Sequence, residues 1–326
     1  MSNIVKGPIS ISFDITNRCN LSCLHCYNNS GEGDFSTELS DIEVLDVINQ
    51  IIDVKPFSVC ICGGETLVRK ELVLQIVEKL NAANIKSSMV TNGMYLNDDF
   101  TKLLKEKGIN NVQISLDGNR AAHNRLRNNE KAYEGAIRGL KLLKKYEILS
   151  GIAFSPTKWN VSDFVDVYKI AEEMNVNEVR LQDLMPIGRA EKNSYILPNE
   201  KDYRDLKKIY NQKKLEYLNG KTSVALEWGD PIDHLIVFKN HFGSKSYTDS
   251  ICILSDGSIT PSIYLPATFG NLKRHTLSEY WEAGLNKIWK TEEVKKMVSE
   301  LTSISGMTTP SNNTMNKDHE EISILN

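Results

Sequence analysis

Three cysteines near the start of the chain are spaced C-x3-C-x2-C: Cys19, Cys23 and Cys26. A cubane iron–sulfur cluster contains four irons, and a cysteine thiolate usually binds each of them. Three thiolates therefore leave one iron open to another ligand. The alternatives are buried thiols or a zinc site, but zinc sites usually pair two C-x2-C halves and need a fourth ligand. His25 lies inside the compact run, where it is awkwardly placed for that role, so the spacing favours an iron–sulfur cluster.

Two glycines and a glutamate follow the short apolar run 58–62. Gly63 and Gly64 are compatible with a plain turn, because glycine tolerates positive φ. They would also let the backbone come close to a ligand, with Glu65 accepting a hydrogen bond from an ammonium group. Because the turn comes one predicted strand after the cysteines, we favour ligand binding.

Ser115 and Asp117 lie at the end of a later predicted strand. Alternation along a strand places both on one face, opposite Ile114 and Leu116. An ordinary strand end with an Asp–Gly turn would give the same pattern, but two polar groups on one face need partners. We therefore favour a functional role for this pair over an ordinary strand end, with Asp117 as a candidate catalytic residue.

The bulk composition is that of a globular protein, with 326 residues, 40% hydrophobic and 25% charged, and a net charge of −3. No basic excess indicates a nucleic-acid partner. The polar N-terminus predicts no signal peptide, and no apolar run is long enough to span a bilayer. We therefore predict a cytosolic protein without nucleic-acid or membrane partners.

Half of the six cysteines crowd into one segment, which indicates metal binding in a reducing compartment rather than a disulfide framework. Of the others, Cys60 is predicted to be a small buried hydrophobic residue. Cys62 is predicted to line the cluster cavity without being a ligand.

Short apolar runs alternate with amphipathic stretches in the first two thirds of the chain. The predicted strands span residues 9–15, 58–62, 86–91, 111–116, 151–155 and 178–184. The predicted helices span residues 41–54, 71–83, 98–107, 133–146 and 161–174. Repeated βα units require parallel strands, and right-handed crossovers would curl them into a partial (β/α)6 TIM-like barrel. The cysteine loop, the glycine turn, 91–93 and Asp117 then all fall at the C-terminal strand ends, where such barrels carry their catalytic groups.

The pattern changes after about residue 200. It predicts a helix over 200–217, a strand over 224–226, a hairpin around Ser255-Asp256-Gly257 and a helix over 277–289. We predict an α/β barrel domain over 1–198, a small α+β C-terminal extension over 199–302 and a disordered tail over 303–326.

The C-x3-C-x2-C run, the turn Gly63-Gly64-Glu65-Thr66 and the βα repeats together resemble the radical S-adenosylmethionine (SAM) superfamily, over roughly residues 9–190. The resemblance implies one [4Fe–4S] cluster on the three cysteines, with the fourth iron bound by the amino and carboxylate groups of SAM. An electron from the cluster would break a sulfur–carbon bond and leave methionine and a 5′-deoxyadenosyl radical.

The resemblance also implies which residues bind the cofactor. The glycine turn would contact the methionyl amino group, Ser115 the ribose or carboxylate, and Arg127 the carboxylate through its planar fork. A solvated helix charge is the alternative for Arg127, and Arg125 could take its place. Asn160 and Arg180 are weaker candidates. The complete implied set is Tyr27, Gly63, Gly64, Glu65, Thr66, Asn92, Ser115, Arg127 and Gln182.

The order of elements after 250 is similar to the SPASM or twitch extension of radical SAM enzymes, which commonly holds auxiliary clusters. Cys252 stands at a typical ligand position, but Ser262 replaces the second expected cysteine and no cysteine follows. One thiolate cannot hold a cubane cluster, so we expect no auxiliary cluster. Cys252 is then either a hydrogen-atom donor to a substrate radical, a catalytic role, or a structural thiol.

These observations predict a peptide-modifying radical SAM oxidoreductase, whose partners are a ribosomally made peptide and a low-potential donor such as flavodoxin or ferredoxin. We expect no separate N-terminal leader-binding domain, because the first strand begins near Ile9. One alternative is a small-molecule substrate, such as a tetrapyrrole or another cofactor precursor. A second alternative is a non-catalytic iron–sulfur scaffold.

Overall fold

The computed structural model describes residues 6–229, 235, 248–265, 267–299 and 320–325. The chain forms two compact units. The first unit contains Met1–Arg18, Glu32–Ser87 and Ile232–Asn326, and the second contains Cys19–Gly31 and Ser88–Pro231.

Strands and helices alternate along most of the described chain. The strands are β1 (Ser10–Asp14), β2 (Ser58–Cys62), β3 (Lys86–Thr91), β4 (Asn111–Ser115), β5 (Leu149–Phe154), β6 (Glu178–Gln182), β7 (Ala225–Gly229), β8 (Ser250–Ile253), β9 (Ile259–Thr260), β10 (Ala267–Thr268) and β11 (Glu320–Glu321). The α-helices are α1 (Asp41–Val54), α2 (Lys70–Ala82), α3 (Asp98–Lys107), α4 (Arg120–Arg127), α5 (Ala132–Lys145), α6 (Phe164–Glu173), α7 (Arg189–Lys192), α8 (Glu200–Leu218), α9 (Leu277–Ala283) and α10 (Glu292–Ser299). Short 3₁₀ helices span Thr66–Arg69, Val161–Asp163, Ser194–Ile196 and Leu285–Lys290.

Local sequence signals account for several of these elements. Ser40 and Glu43 form a capping box, with the Ser40 side chain accepting from the Glu43 N–H and the Glu43 carboxylate accepting from the Ser40 N–H. The predicted helix over 277–289 is interrupted at Gly284, whose φ is +129°. Helix α9 therefore ends there, and a 3₁₀ segment follows.

In the first unit, the strands are ordered β2-β1-β8-β9, with β1 parallel to both β2 and β8 and with β9 antiparallel to β8. The register places Asp14 opposite Cys62, and Ser12 opposite both Cys60 and Cys252. The intervening residues are apolar and buried: Ile11, Phe13, Val59, Ile61, Ile251 and Ile253. One face of these strands is thus core, and the other carries half-buried thiols and a carboxyl group.

In the second unit, the strands are ordered β3-β4-β5-β6-β7, and every pair is parallel. Parallel neighbours need crossover helices, and helices connect each successive pair of these strands. The predicted α/β class with mostly parallel strands is confirmed.

The predicted division into 1–198, 199–302 and a tail stays a prediction. Strand β7 pairs with β6 and β8 pairs with β1, so both strands extend sheets of the predicted barrel region. Most of the predicted tail lies outside the described residues, and its strand β11 pairs with β10. Within the described part of the chain, no helix is both long and apolar enough to cross a membrane.

Candidate active site

The three cysteines lie in one loop of the second unit. Cys23 is buried, whereas Cys19 and Cys26 are half-buried. Two of the sulfurs accept hydrogen bonds, from the Leu21 N–H to Cys19 Sγ at 3.4 Å and from Arg127 Nη1 to Cys23 Sγ at 3.8 Å. Burial raises the pKa of Cys23, and Arg127 offsets only part of that rise. Metal binding requires the thiolate, which these N–H donors stabilise.

Arg189 holds the backbone of this loop. Its Nε donates to the Cys23 carbonyl at 2.8 Å, its Nη1 to the Ser30 carbonyl at 2.9 Å, and its backbone N–H to the Cys26 carbonyl at 2.8 Å. The Arg189 side chain is 7% exposed. This contact of Arg189 with the loop was not predicted from the sequence. An arginine in the apolar stretch after β6 could have indicated a buried hydrogen-bond donor.

Gly188 lets this anchor approach the loop. A Cβ on Gly188 would lie 2.3 Å from the Tyr27 carbonyl oxygen, and its φ of +60° also favours glycine. The Tyr27 side chain is 39% exposed. The described contact of Tyr27 is thus made by its backbone, and its binding of the cofactor stays a prediction.

Asn92 ties the end of β3 to the same loop. Its Nδ2 donates to Asn20 Oδ1 at 2.8 Å, while its Oδ1 accepts from the Met94 N–H at 3.0 Å. Asn92 is buried. These contacts give Asn92 a role in positioning the loop, and its predicted contact with the cofactor stays a prediction.

Asp117 is fully buried two residues after the end of β4 and is paired with Arg127. Its Oδ2 accepts from Arg127 Nε at 2.7 Å and Nη2 at 2.6 Å, and its Oδ1 accepts from the Ser155 N–H at 3.0 Å. Burial alone would raise the pKa of Asp117, but the Arg127 guanidinium holds it below its usual range. These contacts hold the Asp117 carboxylate in place, and its predicted catalytic role stays a prediction. The predicted contact of Arg127 with a cofactor carboxylate also stays a prediction; in this structure its Nε and Nη2 donate to Asp117.

The two histidines beside Asp117 are neutral. The Asp117 N–H donates to His123 Nδ1 at 3.0 Å, and His25 Nε2 lies 3.9 Å from Asp117 Oδ2. Burial lowers the pKa of His25 to about 4 and that of His123 to about 3. Among the described residues, the buried His25 Nδ1 has no hydrogen-bond partner. Such an atom needs an explanation, and a group bound at the loop would supply one.

The loop offers three thiols for a metal centre. Within the described residues, no three His, Cys, Asp or Glu side chains are grouped around one point to hold a single metal ion. Cluster ligands bind different irons, so their sulfurs do not have to converge on one point. The loop therefore fits a cubane cluster with one open iron. It offers three thiols, N–H donors to two of their sulfurs, and the unpartnered His25 Nδ1.

The glycine turn of the first unit packs against backbone. A Cβ would lie 2.3 Å from the Thr16 carbonyl oxygen at Gly63, where φ is +141°, and 2.4 Å from the Arg18 carbonyl oxygen at Gly64. The Gly64 N–H donates to the Thr16 carbonyl at 2.8 Å, and the Glu65 N–H to the Arg18 carbonyl at 2.9 Å. The approach of two backbone segments, rather than of a ligand, already requires both glycines. The turn thereby fixes the residues that lead into the cysteine loop.

Glu65 and Thr66 are both buried. Glu65 Oε1 accepts from the Leu67 N–H at 3.0 Å and so caps the 3₁₀ helix that begins at Thr66. The predicted contacts of Glu65 with an ammonium group and of Thr66 with the cofactor stay predictions.

Several other predicted residues lie at strand ends of the second unit. Ser115 is buried at the end of β4, and Gln182 is half-buried at the end of β6. Their cofactor contacts stay predictions. Arg125, the alternative to Arg127, lies 3.5 Å from the centre of the Trp159 ring. This places Arg125 in a cation–π contact rather than beside Asp117.

A second group of titratable side chains lines the polar strand face of the first unit. Cys62 Sγ donates to Cys60 Sγ at 3.3 Å, and this bond together with burial raises the pKa of Cys62. Burial raises the pKa of Cys252 to about 12 and that of Asp14 to about 7. Cys62 and Cys252 are therefore protonated thiols at neutral pH, the form from which a hydrogen atom can be donated.

Residues 13–171 match the family model described as the radical SAM superfamily. The chain therefore contains a radical SAM domain over these residues. Such a domain implies a [4Fe–4S] cluster and SAM, which confirms the predicted cofactors. Which residues hold them stays a prediction.

The radical SAM chain is similar to curated proteins of two kinds. It is 25% identical to Fe-coproporphyrin III synthase of Methanosarcina barkeri, over 85% of this chain and 74% of the relative. It is also 25% identical to AdoMet-dependent heme synthase of the same organism, over 90% and 88% of the two chains. It is 31% identical to mycofactocin maturase MftC of Mycobacterium ulcerans, over 57% and 50%.

Among solved structures, the radical SAM chain is similar to SuiB of Streptococcus suis bound to S-adenosylmethionine. The TM-score is 0.69 at 15% identity, covering 91% of this chain and 69% of SuiB. This likeness concerns the fold, and it confirms an α/β architecture of the partial TIM-like barrel type. The SPASM-like character of the C-terminal part stays a prediction.

Proposed function

We propose that this radical SAM enzyme acts on a tetrapyrrole, with a single cluster bound by Cys19, Cys23 and Cys26. The substrate class rests on one observation, the similarity to Fe-coproporphyrin III synthase and AdoMet-dependent heme synthase along most of the chain. Those alignments span 304 and 314 residues and extend well beyond the matched domain, 13–171. The sequence alone favoured a peptide substrate, with a tetrapyrrole as an alternative. These similarities make a tetrapyrrole the first candidate.

The chain's own residues prepare the site for its cofactors. Arg189 binds the backbone of the cysteine loop and Asn92 binds its Asn20 side chain, while the glycine turn binds the backbone of the residues before the loop. When bound, the cluster and SAM supply a 5′-deoxyadenosyl radical that abstracts hydrogen from the substrate. A low-potential flavodoxin or ferredoxin is proposed to deliver the electron.

The ligand assignment is tested by anaerobic reconstitution followed by iron and sulfide analysis. Cys23→Ala should lose the cluster, because two thiolates remain for four irons. Cys60→Ala is the matched control, and it should keep the wild-type iron content. A full cluster in Cys23→Ala would contradict the assignment.

The substrate class is tested on the reconstituted enzyme with SAM and dithionite. Iron-loaded coproporphyrin III, its metal-free form and no substrate are compared by 5′-deoxyadenosine release and by the mass of the recovered tetrapyrrole. We expect a tetrapyrrole to raise 5′-deoxyadenosine release and to change mass in proportion. Unchanged tetrapyrroles, with SAM cleavage at the no-substrate rate, would overturn the proposal.

A peptide is the second candidate, favoured by the 31% identity to mycofactocin maturase MftC. That similarity covers 57% of the chain, whereas the similarities to the two tetrapyrrole relatives cover 85% and 90%. A short peptide encoded beside the gene, with a changed mass after co-expression, would favour this candidate.

A further inference from the structure

Arg127 contacts Asp117 and Cys23 with different atoms of one guanidinium group. Nε and Nη2 donate to Asp117 Oδ2 at 2.7 and 2.6 Å, and Nη1 lies 3.8 Å from Cys23 Sγ. Side chains on a helix tilt toward its N-terminus, so Arg127 at the end of α4 reaches back to Asp117, two residues after the end of β4. The guanidinium is planar, and fixing two of its nitrogens on Asp117 also fixes the direction of the third.

The three groups share a region of low exposure. The side chain of Asp117 is 0% exposed and that of Arg127 is 12% exposed, and Cys23 is 7% exposed. Electrostatic interactions are stronger in such surroundings than in water. Within this group, Arg127 Nη1 is the donor that lies at Cys23 Sγ, and the guanidinium keeps its positive charge at neutral pH.

We propose that Arg127, oriented by Asp117, donates an N–H···S hydrogen bond to the cluster-bound Cys23 and thereby raises the reduction potential of the cluster. The inference rests on the proposed ligand assignment and is independent of the substrate class. Reduction by one electron adds one negative charge to the cluster and its sulfurs. A donor and a fixed positive charge stabilise that reduced state more than the oxidised one.

Asp117 is a positioning residue in this arrangement. Without its carboxylate, the buried guanidinium would lose the partner that offsets its burial and fixes its orientation. Asp117 sets the direction of Nη1, and Arg127 acts on the sulfur.

The test is an EPR-monitored redox titration of the reconstituted enzyme without substrate, with dithionite as the reductant. Arg127→Gln removes the charge and the fork, and Arg127→Lys keeps the charge and loses the fork. Arg120→Gln is the matched control, since Arg120 lies on the same helix with a side chain that is 67% exposed. Iron and sulfide content and the circular dichroism spectrum are measured for every variant.

We expect a more negative potential in Arg127→Gln, an intermediate potential in Arg127→Lys and the wild-type potential in Arg120→Gln. A wild-type potential in the loaded Arg127→Gln enzyme would overturn the proposal. If neither Arg127 variant takes up a cluster while both retain the fold, Arg127 has a structural role instead. Failure of the wild-type protein to take up a cluster would refute the ligand assignment itself.

Discussion

Arg189 Nε donates to the backbone carbonyl of Cys23 across 2.8 Å, so a side chain 166 positions later in the chain holds the cysteine loop. The same guanidinium also binds the Ser30 carbonyl at 2.9 Å. A metal-binding loop that is fixed before its cofactor arrives loses less conformational entropy on binding. We therefore expect the contacts of Arg189 to increase both cluster uptake and the free energy of unfolding.

Arg189→Met tests this anchor. The change leaves two buried carbonyls without their charged donor, which should lower the free energy of unfolding by about 2–4 kcal/mol and reduce cluster uptake. Urea unfolding of the metal-free protein and iron content after reconstitution measure the two effects. Arg204→Met is the control, because Arg204 lies on α8 with a side chain that is 67% exposed. Equal iron content in the two variants would exclude an anchoring role.

Gly64→Ala tests the close packing of the glycine turn. The added Cβ would lie 2.4 Å from the Arg18 carbonyl oxygen, so one of the two backbone segments must move. We expect a loss of about 1–3 kcal/mol in the free energy of unfolding and reduced cluster uptake, because Arg18 directly precedes the first cysteine. Gly151→Ala is the control, because a Cβ at Gly151 would have its nearest neighbour at 3.6 Å. It should change neither the free energy of unfolding nor cluster uptake.

The sequence predicted the strands of the barrel region because their apolar residues alternate. Phe13 and Ile61, for example, are fully buried on the core face of β1 and β2. Helix α4 was not predicted, because two of its four buried residues, His123 and Asn124, are polar. The helical spacing of apolar residues is therefore not visible in the sequence. The cap of α4, Asn119, which accepts from the Ala122 N–H at 3.0 Å, was the local signal that remained.

The site was predictable only where its residues are close together in the chain. The spacing of the three cysteines indicated a cluster, because all three ligands lie in one loop. The contacts that hold this loop depend on the tertiary fold, since they come from Asn92 and Arg189. The role of Asp117 depends on its full burial beside Arg127, which the alternation of β4 could not reveal.

Asp14 should make the stability of the metal-free protein fall as pH rises. Burial raises its pKa to about 7 in the folded protein, whereas an unfolded aspartate releases its proton near about pH 4. Between these values the unfolded state loses its proton first, so rising pH favours unfolding, by up to about 1 kcal/mol per pH unit.

Asp14→Asn stays neutral at every pH and should remove this dependence. Urea unfolding at pH 5, 6, 7 and 8 should show the variant gaining stability relative to wild type as pH rises, with the difference levelling off above about pH 7. Asp166→Asn, at a side chain that is 60% exposed, is the control and should follow wild type. A constant difference between Asp14→Asn and wild type would show that this carboxyl titrates normally.

Cys252 is proposed to donate a hydrogen atom to the substrate radical. One electron from the low-potential donor and one proton from solvent would then return the resulting Cys252 thiyl radical to the thiol. Its thiol is half-buried on β8, directly opposite Ser12, and burial raises its pKa to about 12. A protonated thiol exchanges its hydrogen with solvent, so turnover in D₂O should place deuterium in the product. Cys252→Ser should still release 5′-deoxyadenosine, because SAM cleavage precedes the donation, but its product should carry no solvent deuterium.

Cys60→Ser is the matched control for this experiment, because Cys60 lies opposite the same Ser12 on the other neighbouring strand. Mass spectrometry of the product should show the wild-type deuterium content in this variant. Deuterium retained by Cys252→Ser and lost by Cys60→Ser would move the donor to Cys60. Deuterium retained by both variants would make Cys252 a structural thiol, because a group that is not needed for the transfer cannot be its donor.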